Sequence, residues 1–354
     1  MKPTWFATAR GCAKLRMRRI LVTGASGFVG GHLHTALRAA FPDTCLIAAV
    51  RGEALLGWDE TVVIDLLDPA SCMTALQTTK PDAVVHLAAL AEVAASFRDP
   101  FLTWRTNLFG TLALGNATLA AAPDALFVFA SSAEVYGLSF QSGHPLAEDA
   151  LLRPANPYAA SKAAADIAVG EMALRGLRAV RVRPFNHTGA GQTEAFVVSA
   201  FARQVALIAA GRQEPIMRVG ALDRWRDFLD VADVCAGYVA ALRHADRLVP
   251  GTVFNLANGA PKHVASILAD LIRLGGIAPC IEQEPALLRP TDVTRTEGDA
   301  AAARAALGWV PQVPWETTLR TVLADWKARI GCPSPSPRSK SSDRCGGTWS
   351  NGCA

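Results

Sequence analysis

Short runs of apolar residues alternate with longer, helix-like segments along the first half of the chain. The apolar runs are continuous rather than interrupted by polar residues, which is typical of parallel strands buried on both faces. Strands are predicted over 20–23, 46–50, 61–64, 83–87, 126–130 and 179–183. Helices are predicted over 28–40, from 69 onward, over 100–119 and from 157 onward. This order of elements predicts a parallel sheet with helices on both faces.

Three of the predicted helices begin with a recognisable signal, namely Asp68-Pro69, Asp99-Pro100 and Asn156-Pro157. A side-chain oxygen of Asp or Asn can accept a hydrogen bond from a backbone N–H of the first turn. Proline suits the next position because its missing N–H is not needed there. These pairs therefore mark where the helices start.

A glycine-rich turn, TGASGFVG over 23–30, joins the first predicted strand to the first predicted helix. Glycines let the backbone turn sharply and approach a pyrophosphate, and the helix start offers free N–H groups to phosphate oxygens. In this strand–turn–helix context the pattern predicts a dinucleotide site. The predicted contacts in the turn are Gly24, Ser26, Gly27, Phe28, Val29 and Gly30.

The end of the second predicted strand bears on the choice of dinucleotide. Sites for NAD usually place a carboxylate there to hold the ribose 2′-hydroxyl. Here Arg51 occupies that place, and a guanidinium group can pair with a 2′-phosphate. We therefore expect NADP(H) to be favoured, with NAD(H) possible if Arg51 is only a solvated loop residue. Asp65 ends the third strand and either contacts the adenine amino group or caps the next turn.

Tyr158 and Lys162 lie four residues apart in a predicted helix, so they share one of its faces. A free tyrosine has a pKa near ~10. A neighbouring cation favours the phenolate, so Lys162 is expected to lower the pKa of Tyr158. Together with a dinucleotide, the pair predicts hydride transfer to or from a carbonyl or alcohol, with Tyr158 handling the proton.

The alternation of strands and helices loosens after residue 185, where helices are predicted near 196–210, 231–243, 264–274 and 315–329. We expect an α/β fold in which a doubly wound, Rossmann-type parallel sheet is followed by a smaller C-terminal substrate-binding α/β lobe. The predicted Rossmann domain is 17–185 with a returning segment near 228–257, and the substrate lobe is mainly 186–330. Residues 1–16 and 331–354 are predicted to be disordered. Translation could start at Met1 or at Met17.

Further motifs follow in order, and with them the chain resembles the extended short-chain dehydrogenase/reductase (epimerase/dehydratase) family from Met17 to about Ile330. The matching segments are 23–30, Asp65, HLAA at 86–89, Asn107 with Gly110-Thr111, SSAEVYG at 131–137, and Tyr158 with Lys162. The resemblance implies that Ser132 binds the reacting carbonyl, Tyr158 gives it a proton and Lys162 holds the nicotinamide ribose. It also implies cofactor contacts from Leu66, Leu87, Ala88, Ala89, Asn107 and His187.

A narrower resemblance lies in the second half of the chain. The segments at 97–100, 183–192, 226–231 and 288–293 look like those of enzymes acting on GDP-mannose-derived sugars, above all GDP-4-dehydro-6-deoxy-mannose reductases. This implies reduction of the C4 keto group of GDP-4-dehydro-6-deoxy-D-mannose to give GDP-D-rhamnose. The implied substrate contacts are Ser132, Asn186, Arg226, Arg289 and Asp292. Planar guanidinium groups suit a diphosphate, although surface roles remain open for these residues.

Glu134 keeps a second mechanism open. A GDP-mannose 4,6-dehydratase needs an additional carboxylate to remove the C5 proton, and such enzymes resemble this chain in carrying a glutamate two residues after position 132. They usually have threonine where this chain has Ser132, which favours the reductase. A 4-epimerase or a reductase of another nucleotide sugar is a further alternative. A non-catalytic dinucleotide-binding sensor is less consistent with the intact Tyr158–Lys162 pair.

Composition and charge limit the kinds of partner and site that the sequence allows. The formal net charge is +4, and no basic stripe is interleaved with aromatic residues, so no nucleic-acid partner is expected. No apolar run reaches the ~18 residues of a membrane span. None of the eight cysteines forms a Cys-x-x-Cys unit, which predicts reduced thiols, no metal site and a cytoplasmic location. The family resemblance implies a homodimer through the helices that hold Asn107 and Lys162.

Overall fold

A computed structural model describes residues 17–288 and 293–331. Its strands are β1 (Arg19–Thr23), β2 (Cys45–Val50), β3 (Glu60–Val63), β4 (Ala83–His86), β5 (Leu126–Ala130), β6 (Arg178–Pro184), β7 (Asn186–Thr188), β8 (Ile216–Val219), β9 (Trp225–Arg226), β10 (Phe228–Asp230), β11 (Thr252–Leu256), β12 (Lys262–His263) and β13 (Cys280–Gln283). Its α-helices are α1 (Phe28–Ala40), α2 (Pro69–Thr79), α3 (Val93–Arg98), α4 (Pro100–Trp104), α5 (Gly110–Ala121), α6 (Pro157–Leu174), α7 (Val197–Ala209), α8 (Val231–Arg243), α9 (Val264–Gly275), α10 (Ala301–Leu307) and α11 (Trp315–Gly331).

Seven parallel strands form the main sheet in the order β3-β2-β1-β4-β5-β6-β11. The predicted doubly wound, Rossmann-type fold is therefore confirmed. The chain winds outward from β1 in one direction and from β4 in the other. Ligands of such sheets bind outside the carboxyl ends of the strands where the winding reverses. Thr23 pairs with His86 at that end, so this edge is where the site is sought.

Helices cover both faces of the main sheet. On one face α1, α8 and α10 pack against apolar residues such as Leu33, Leu37 and Tyr238. On the other face α2, α5 and α6 do so, with Leu76, Leu114 and Met172 in the core. Burial on both faces explains why the strands carry continuous apolar residues.

The C-terminal part of the described chain has a core of its own, formed by α7, α9 and α11 around residues such as Phe201, Leu271 and Leu323. Short strand pairs surround it: β8 with β13, β9 with β12, and β7 with β10. Gly331, which the sequence places at the start of a tail, is the last residue of α11. The predicted extension at 1–16 and the rest of the tail lie outside the described residues.

The long helix predicted from Pro100 is present, but it contains a π-helical turn over Arg105–Phe109 between α4 and α5. Asp99 caps its start by accepting from the N–H of Leu102 at 2.9 Å. Single π turns inside α-helices frequently occur at functional sites. This one contains Asn107, which places that side chain beside the loop after β4. In the described part of the chain, no helix is long and apolar enough to cross a membrane.

Candidate active site

The glycine turn between β1 and α1 is packed so tightly that side chains do not fit. Gly24 has φ of +71°, and a Cβ atom there would lie 2.8 Å from the backbone nitrogen of Ala88. A Cβ atom on Gly30 would lie 2.6 Å from the carbonyl oxygen of Ala25. The turn is closed by a hydrogen bond from the Gly27 N–H to the Gly24 carbonyl at 3.0 Å. The resulting cradle fits the pyrophosphate of a dinucleotide.

The start of α1 completes this cradle. Gly27 occupies the N-cap and supplies no side-chain cap, so N–H groups of the first turn are available to an anion. Phe28 lies parallel to the ring of His187, with centroids 6.3 Å apart and an interplanar angle of 10°. The Nδ1 atom of His187 is 2.9 Å from the Phe185 carbonyl oxygen. The structure thus brings Phe28 and His187, both predicted cofactor contacts, together from distant parts of the chain.

The residues predicted to hold the adenosine follow β2 and β3. Arg51 comes directly after β2 and is exposed. Asp65 is also exposed, and its Oδ1 atom accepts from the N–H of Leu67 at 2.9 Å. Asp65 therefore shapes the turn before α2, which was the second of its two predicted roles. Leu66 beside it is buried under Gly110.

The loop after β4 is fixed from two sides. The N–H of Ala88 donates to Thr23 Oγ1 at 3.2 Å. The buried side chain of Asn107 accepts from the N–H of Leu90 at 2.8 Å and donates to the Leu90 carbonyl at 3.1 Å. Its amide also donates to Ser161 Oγ in α6 at 3.0 Å. Asn107 thereby ties the Leu87–Ala89 segment to the helix that carries Tyr158 and Lys162.

The side chains of Ser132 and Tyr158 lie close together beyond the carboxyl end of β5. Ser132 accepts from the N–H of Glu134 at 3.2 Å, which fixes its hydroxyl. Burial raises the pKa of Tyr158 to about 12, the nearby hydroxyl of Ser132 opposes this rise, and the charge of Glu134 adds to it. The expectation that Lys162 lowers this pKa is wrong for this structure, because burial is the dominant effect.

Lys162 lies on the same helical face as Tyr158 but is buried against β5. Its ammonium donates to the carbonyl of Ala130 and lies 4.4 Å from the ring centroid of Phe129. Burial lowers the pKa of Lys162 to about 7, and the negative charge of Asp166 partly opposes this. Its ammonium is therefore easily deprotonated near neutral pH.

An ion cluster beneath Lys162 fixes the catalytic helix to the sheet. The fully buried carboxylate of Asp166 in α6 pairs with Arg183 through two bonds of 3.0 and 2.9 Å, and with Arg181 at 2.9 Å. Both arginines belong to β6. The arginines hold the pKa of Asp166 below its usual value although burial would raise it. No local pattern in the sequence indicates this cluster, because its members meet only when α6 packs on β6.

A cleft of about 440 Å³, its open mouth included, lies next to Glu134. Asn156, the N-cap of α6, donates to Glu134 Oε2 at 3.3 Å. Arg226 lines the same cleft, and its Nη1 atom donates to the carbonyls of Trp225 at 2.9 Å and Thr294 at 3.4 Å. The carboxylate of Glu134 and the guanidinium group of Arg226 thus line one cavity. The guanidinium group suits an anionic part of a ligand, and the carboxylate suits hydroxyl groups that donate hydrogen bonds.

The other predicted substrate contacts divide into two groups. Asn186 lies in β7, paired in register with Phe228 of β10, at the junction of the two lobes. Arg289 and Asp292 lie outside the described residues. Sequence reasoning missed Asp227, whose buried carboxylate accepts from the N–H groups of Asn258 at 2.8 Å, Gly259 at 2.9 Å and Gly298 at 3.2 Å. Burial raises the pKa of Asp227.

Comparison with known proteins agrees with this geometry. The family model described as GDP-mannose 4,6 dehydratase matches residues 21–322. The chain belongs to the GDP-mannose 4,6 dehydratase family. This confirms the resemblance to the epimerase/dehydratase enzymes, which are NAD(P)-dependent oxidoreductases of the extended short-chain type.

Individual members of the family are similar along most of the chain. A GDP-6-deoxy-D-mannose reductase of Pseudomonas aeruginosa is 36% identical, over 88% of this chain and 98% of the relative. The structure of RMD from Pseudomonas aeruginosa complexed with NADPH is 35% identical with a TM-score of 0.77, covering 88% of this chain and 99% of that chain. UDP-glucose 4-epimerase of Thermus thermophilus complexed with NAD is 28% identical with a TM-score of 0.76, covering 87% and 99%.

The described residues contain no group of three or more His, Cys, Asp or Glu side chains arranged to hold a metal ion. The cysteines that the structure describes, Cys45, Cys72, Cys235 and Cys280, are all free thiols. His86 is buried between Thr23 Oγ1 at 2.7 Å and Thr111 Oγ1 at 3.0 Å, and burial lowers its pKa to about 3. His86 is thus a neutral hydrogen-bonding residue under the glycine turn.

Proposed function

We propose that this protein is an NADPH-dependent reductase that converts the C4 ketone of GDP-4-dehydro-6-deoxy-D-mannose to the alcohol, giving GDP-D-rhamnose. The observation that carries this proposal is the proximity of the Ser132 and Tyr158 hydroxyl groups. The two groups lie at the carboxyl edge of the sheet, beside the cleft that Arg226 lines and on the edge where the glycine cradle opens. The similarity to a GDP-6-deoxy-D-mannose reductase over nearly the full length of that relative supports the choice of substrate.

Tyr158 is the proton donor in this reaction. With a pKa of about 12 it is a neutral phenol at physiological pH, so it carries the proton that the reduced oxygen requires. An alkoxide formed from a ketone is a stronger base than a phenolate, so transfer from Tyr158 runs downhill. Ser132, which lies beside Tyr158, would donate to the same ketone oxygen and fix its position. NADPH, when bound, supplies the hydride.

The cradle at Gly24–Gly30 would hold the pyrophosphate, and Lys162 would hold the nicotinamide ribose. Arg51 would pair with the 2′-phosphate, which is why NADPH is favoured over NADH, although NADH remains possible. This preference is supported by the exposed guanidinium group at the end of β2 and by the NADPH complex of the similar RMD.

The substrate would lie with its diphosphate toward Arg226 and its sugar toward Ser132 and Glu134. Arg289 is proposed as a second diphosphate contact, Asn186 as a contact to the diphosphate or sugar, and Asp292 as a contact to the guanine or its ribose. The preference for GDP over other nucleotides rests on the relative's name and on the motifs quoted above.

A GDP-mannose 4,6-dehydratase is the second candidate, because the carboxylate of Glu134 acts on Tyr158 electrostatically and lies beside Ser132. This is where a base for the C5 proton would be needed. The reductase is preferred because position 132 carries serine rather than the threonine that is usual in dehydratases.

We further propose a homodimer. Phe101 is 84% exposed and Phe109 57% exposed along α4 and the π turn, while Ile167 and Leu174 are 60% and 90% exposed on α6. Apolar side chains of this size on one pair of helices suit burial against a second copy. Sedimentation equilibrium should give about twice 37.4 kDa, and a monomer would rule this out.

The division into 17–185 and 186–330, with a return near 228–257, remains our proposal for the domain boundaries. A cytoplasmic location is likewise proposed, supported by the free thiols among the described residues. Limited proteolysis with peptide mapping and fractionation of the source cells test these two statements. Cuts concentrated within 17–185, or protein recovered outside the cytoplasm, would contradict them.

The proposed reaction is tested by mixing the protein with NADPH and GDP-4-dehydro-6-deoxy-D-mannose and following absorbance at the nicotinamide band. A reductase consumes NADPH in proportion to product. A dehydratase instead converts GDP-mannose with no net change in cofactor, and a sensor binds nucleotide without turnover. Parallel runs with UDP- and dTDP-4-keto sugars fix the base. Conversion of GDP-mannose without NADPH consumption would overturn the reductase assignment.

A further inference from the structure

Thr296 lines the cleft that also contains Glu134, Asn156 and Arg226, and no sequence motif had marked it. The residue is only 6% exposed. Its Oγ1 atom is buried and has no hydrogen-bond partner among the residues that the structure describes. A buried hydroxyl without a partner costs free energy, because it has lost its bonds to water and gained none. Such a group at the wall of a binding cleft calls for an explanation.

The backbone around Thr296 is held by hydrogen bonds, which set the direction of its Cα–Cβ bond. The Thr296 N–H donates to the Trp225 carbonyl at 3.0 Å, and the Trp225 N–H donates to the Thr294 carbonyl at 2.8 Å. Arg295 therefore pairs in register with Trp225 and stacks over its ring with 5.4 Å between the guanidinium carbon and the ring centroid. Since neighbouring residues of an extended segment point to opposite sides, Thr296 faces the cleft.

The same backbone bonds set Thr296 beside the guanidinium group of Arg226, which donates to the Thr294 carbonyl. Glu134 and Asn156 line the same cleft. Thr296 thus shares this cleft with the proposed diphosphate contact and with the residues proposed to lie next to the sugar. A ligand group that reaches this place and can complete a neutral hydrogen bond is a hydroxyl of the sugar ring.

We propose that Thr296 is a substrate-binding residue. Its hydroxyl, which has no partner in the free protein, forms a hydrogen bond with a sugar hydroxyl of the bound nucleotide sugar. This inference rests on the function proposed above for the cleft. It accounts for the retention of an unpaired polar group in a position where valine would pack equally well. The unfilled bond is a cost to the free protein that the substrate removes.

The test compares Thr296→Val, Thr296→Ser and a matched control, Thr318→Val. Thr318 is also a fully buried threonine with an unpartnered Oγ1 atom, but it lies in α11 and does not line the cleft. Each protein is titrated calorimetrically with GDP-mannose and with GDP at saturating NADP+, its melting temperature is measured, and turnover is assayed as above.

Thr296→Val should bind GDP-mannose roughly five- to tenfold more weakly than the natural protein, as expected for one lost neutral hydrogen bond. Its melting temperature should nevertheless rise by roughly 1–3 °C, because an unpaired hydroxyl has been removed. Thr296→Ser should bind within about twofold of the natural protein. Thr318→Val should gain stability without any change in binding.

Three results would overturn the inference. The first is that Thr296→Val binds GDP-mannose like the natural protein. The second is that Thr296→Val loses stability and binding together, which indicates a structural residue. An equal loss of affinity for GDP would place the contact on the diphosphate instead of the sugar. The proposed reaction can fail separately: if the natural protein does not reduce the ketone but Thr296→Val weakens GDP-mannose binding, the inference stands alone. If the natural protein binds no nucleotide sugar, both the proposed reaction and the proposed role of Thr296 are rejected.

Discussion

Burial shifts the pKa values of Tyr158 and Lys162 in opposite directions. It disfavours the phenolate of one and the ammonium of the other, raising the first pKa to about 12 and lowering the second to about 7. At neutral pH the tyrosine therefore holds its proton, and the lysine is near its midpoint. This distribution suits reduction, where a proton must be delivered, better than it suits oxidation, where the phenol must first be ionised.

Removing the phenol hydroxyl with Tyr158→Phe should lower kcat for ketone reduction by about 10²- to 10⁴-fold, because the proton donor is lost. The Kd for NADPH should change little. Stopped-flow turnover and fluorescence titration measure the two quantities. Tyr238→Phe, which removes a buried phenol hydroxyl in α8, is the control and should keep kcat within about threefold. Full activity of Tyr158→Phe would reject the proton-donor role.

Cofactor affinity should depend on pH through Lys162. Its pKa is about 7 in the structure, and an ammonium that donates to the ribose in the complex must hold its proton more tightly there. The complex then binds more protons than the free protein above pH ~7, so affinity falls as pH rises, by at most about tenfold per unit. Titrations from pH 6 to 9 on the natural protein and on Lys162→Met give the difference. Parallel curves for the two proteins would contradict the prediction.

At the level of elements, the site is built from the ends of several strands and the start of two helices. β1 and α1 supply the cradle, the segment after β5 supplies Ser132, and α6 supplies Tyr158 and Lys162. Asn107 in the π turn then links the loop after β4 to α6. Because these elements are packed on one rigid sheet, the relative positions of cradle and phenol are fixed by the core and not by flexible loops.

Gly30→Ala should abolish cofactor binding or weaken it by at least about 100-fold, because its Cβ atom would collide with backbone carbonyls of Gly24 and Ala25, which cannot move aside easily. Gly31→Ala is the matched control. Its Cβ atom would meet nothing within 4 Å, and alanine favours a helix over glycine by about 1 kcal/mol. NADPH titration measures the affinity of both variants for the cofactor, and thermal unfolding measures their stability. Equal NADPH affinity in both would mean that the turn tolerates side chains.

For the whole molecule, Asp227 joins the segment between β9 and β10 to the loop after β11 and to Gly298. It begins the segment leading into β10, and its carboxylate binds N–H groups of the loop after β11 and of Gly298. These contacts also fix the backbone next to Arg226 and Thr296. The geometry of the substrate cleft therefore depends on a buried carboxylate that touches none of the proposed reacting groups.

Asp227→Asn should raise KM for the nucleotide sugar by roughly tenfold and lower the melting temperature by several degrees, because an amide nitrogen would face backbone N–H donors. The Kd for NADPH should stay within about twofold, since the cradle is untouched. Asp270→Asn, at an exposed pair with Arg273, serves as control and should alter neither property appreciably. An unchanged KM in Asp227→Asn would show that the cleft keeps its shape without this carboxylate.

What the sequence predicted and what it missed follow from the range of the interactions. The sheet, the glycine turn and the capped start of α6 depend on neighbouring residues, and they were predicted correctly. The contacts of Asp227, Thr296 and the Asp166–Arg183 pair join residues far apart in the chain, so no local pattern predicted these contacts. The pKa of Tyr158 was predicted in the wrong direction because burial cannot be read from the spacing to Lys162.

The ion cluster of Asp166, Arg181 and Arg183 has a consequence for how such an enzyme could diversify. Because the cluster joins α6 to β6, the helix that carries Tyr158, the proposed proton donor, is held by the main sheet and not by the C-terminal core. Substitutions around the sugar cleft can then accumulate, or be introduced by recombination, without dislodging the chemistry. New sugar preferences would then arise from substitutions in the cleft, while the position of Tyr158 on the sheet stays the same.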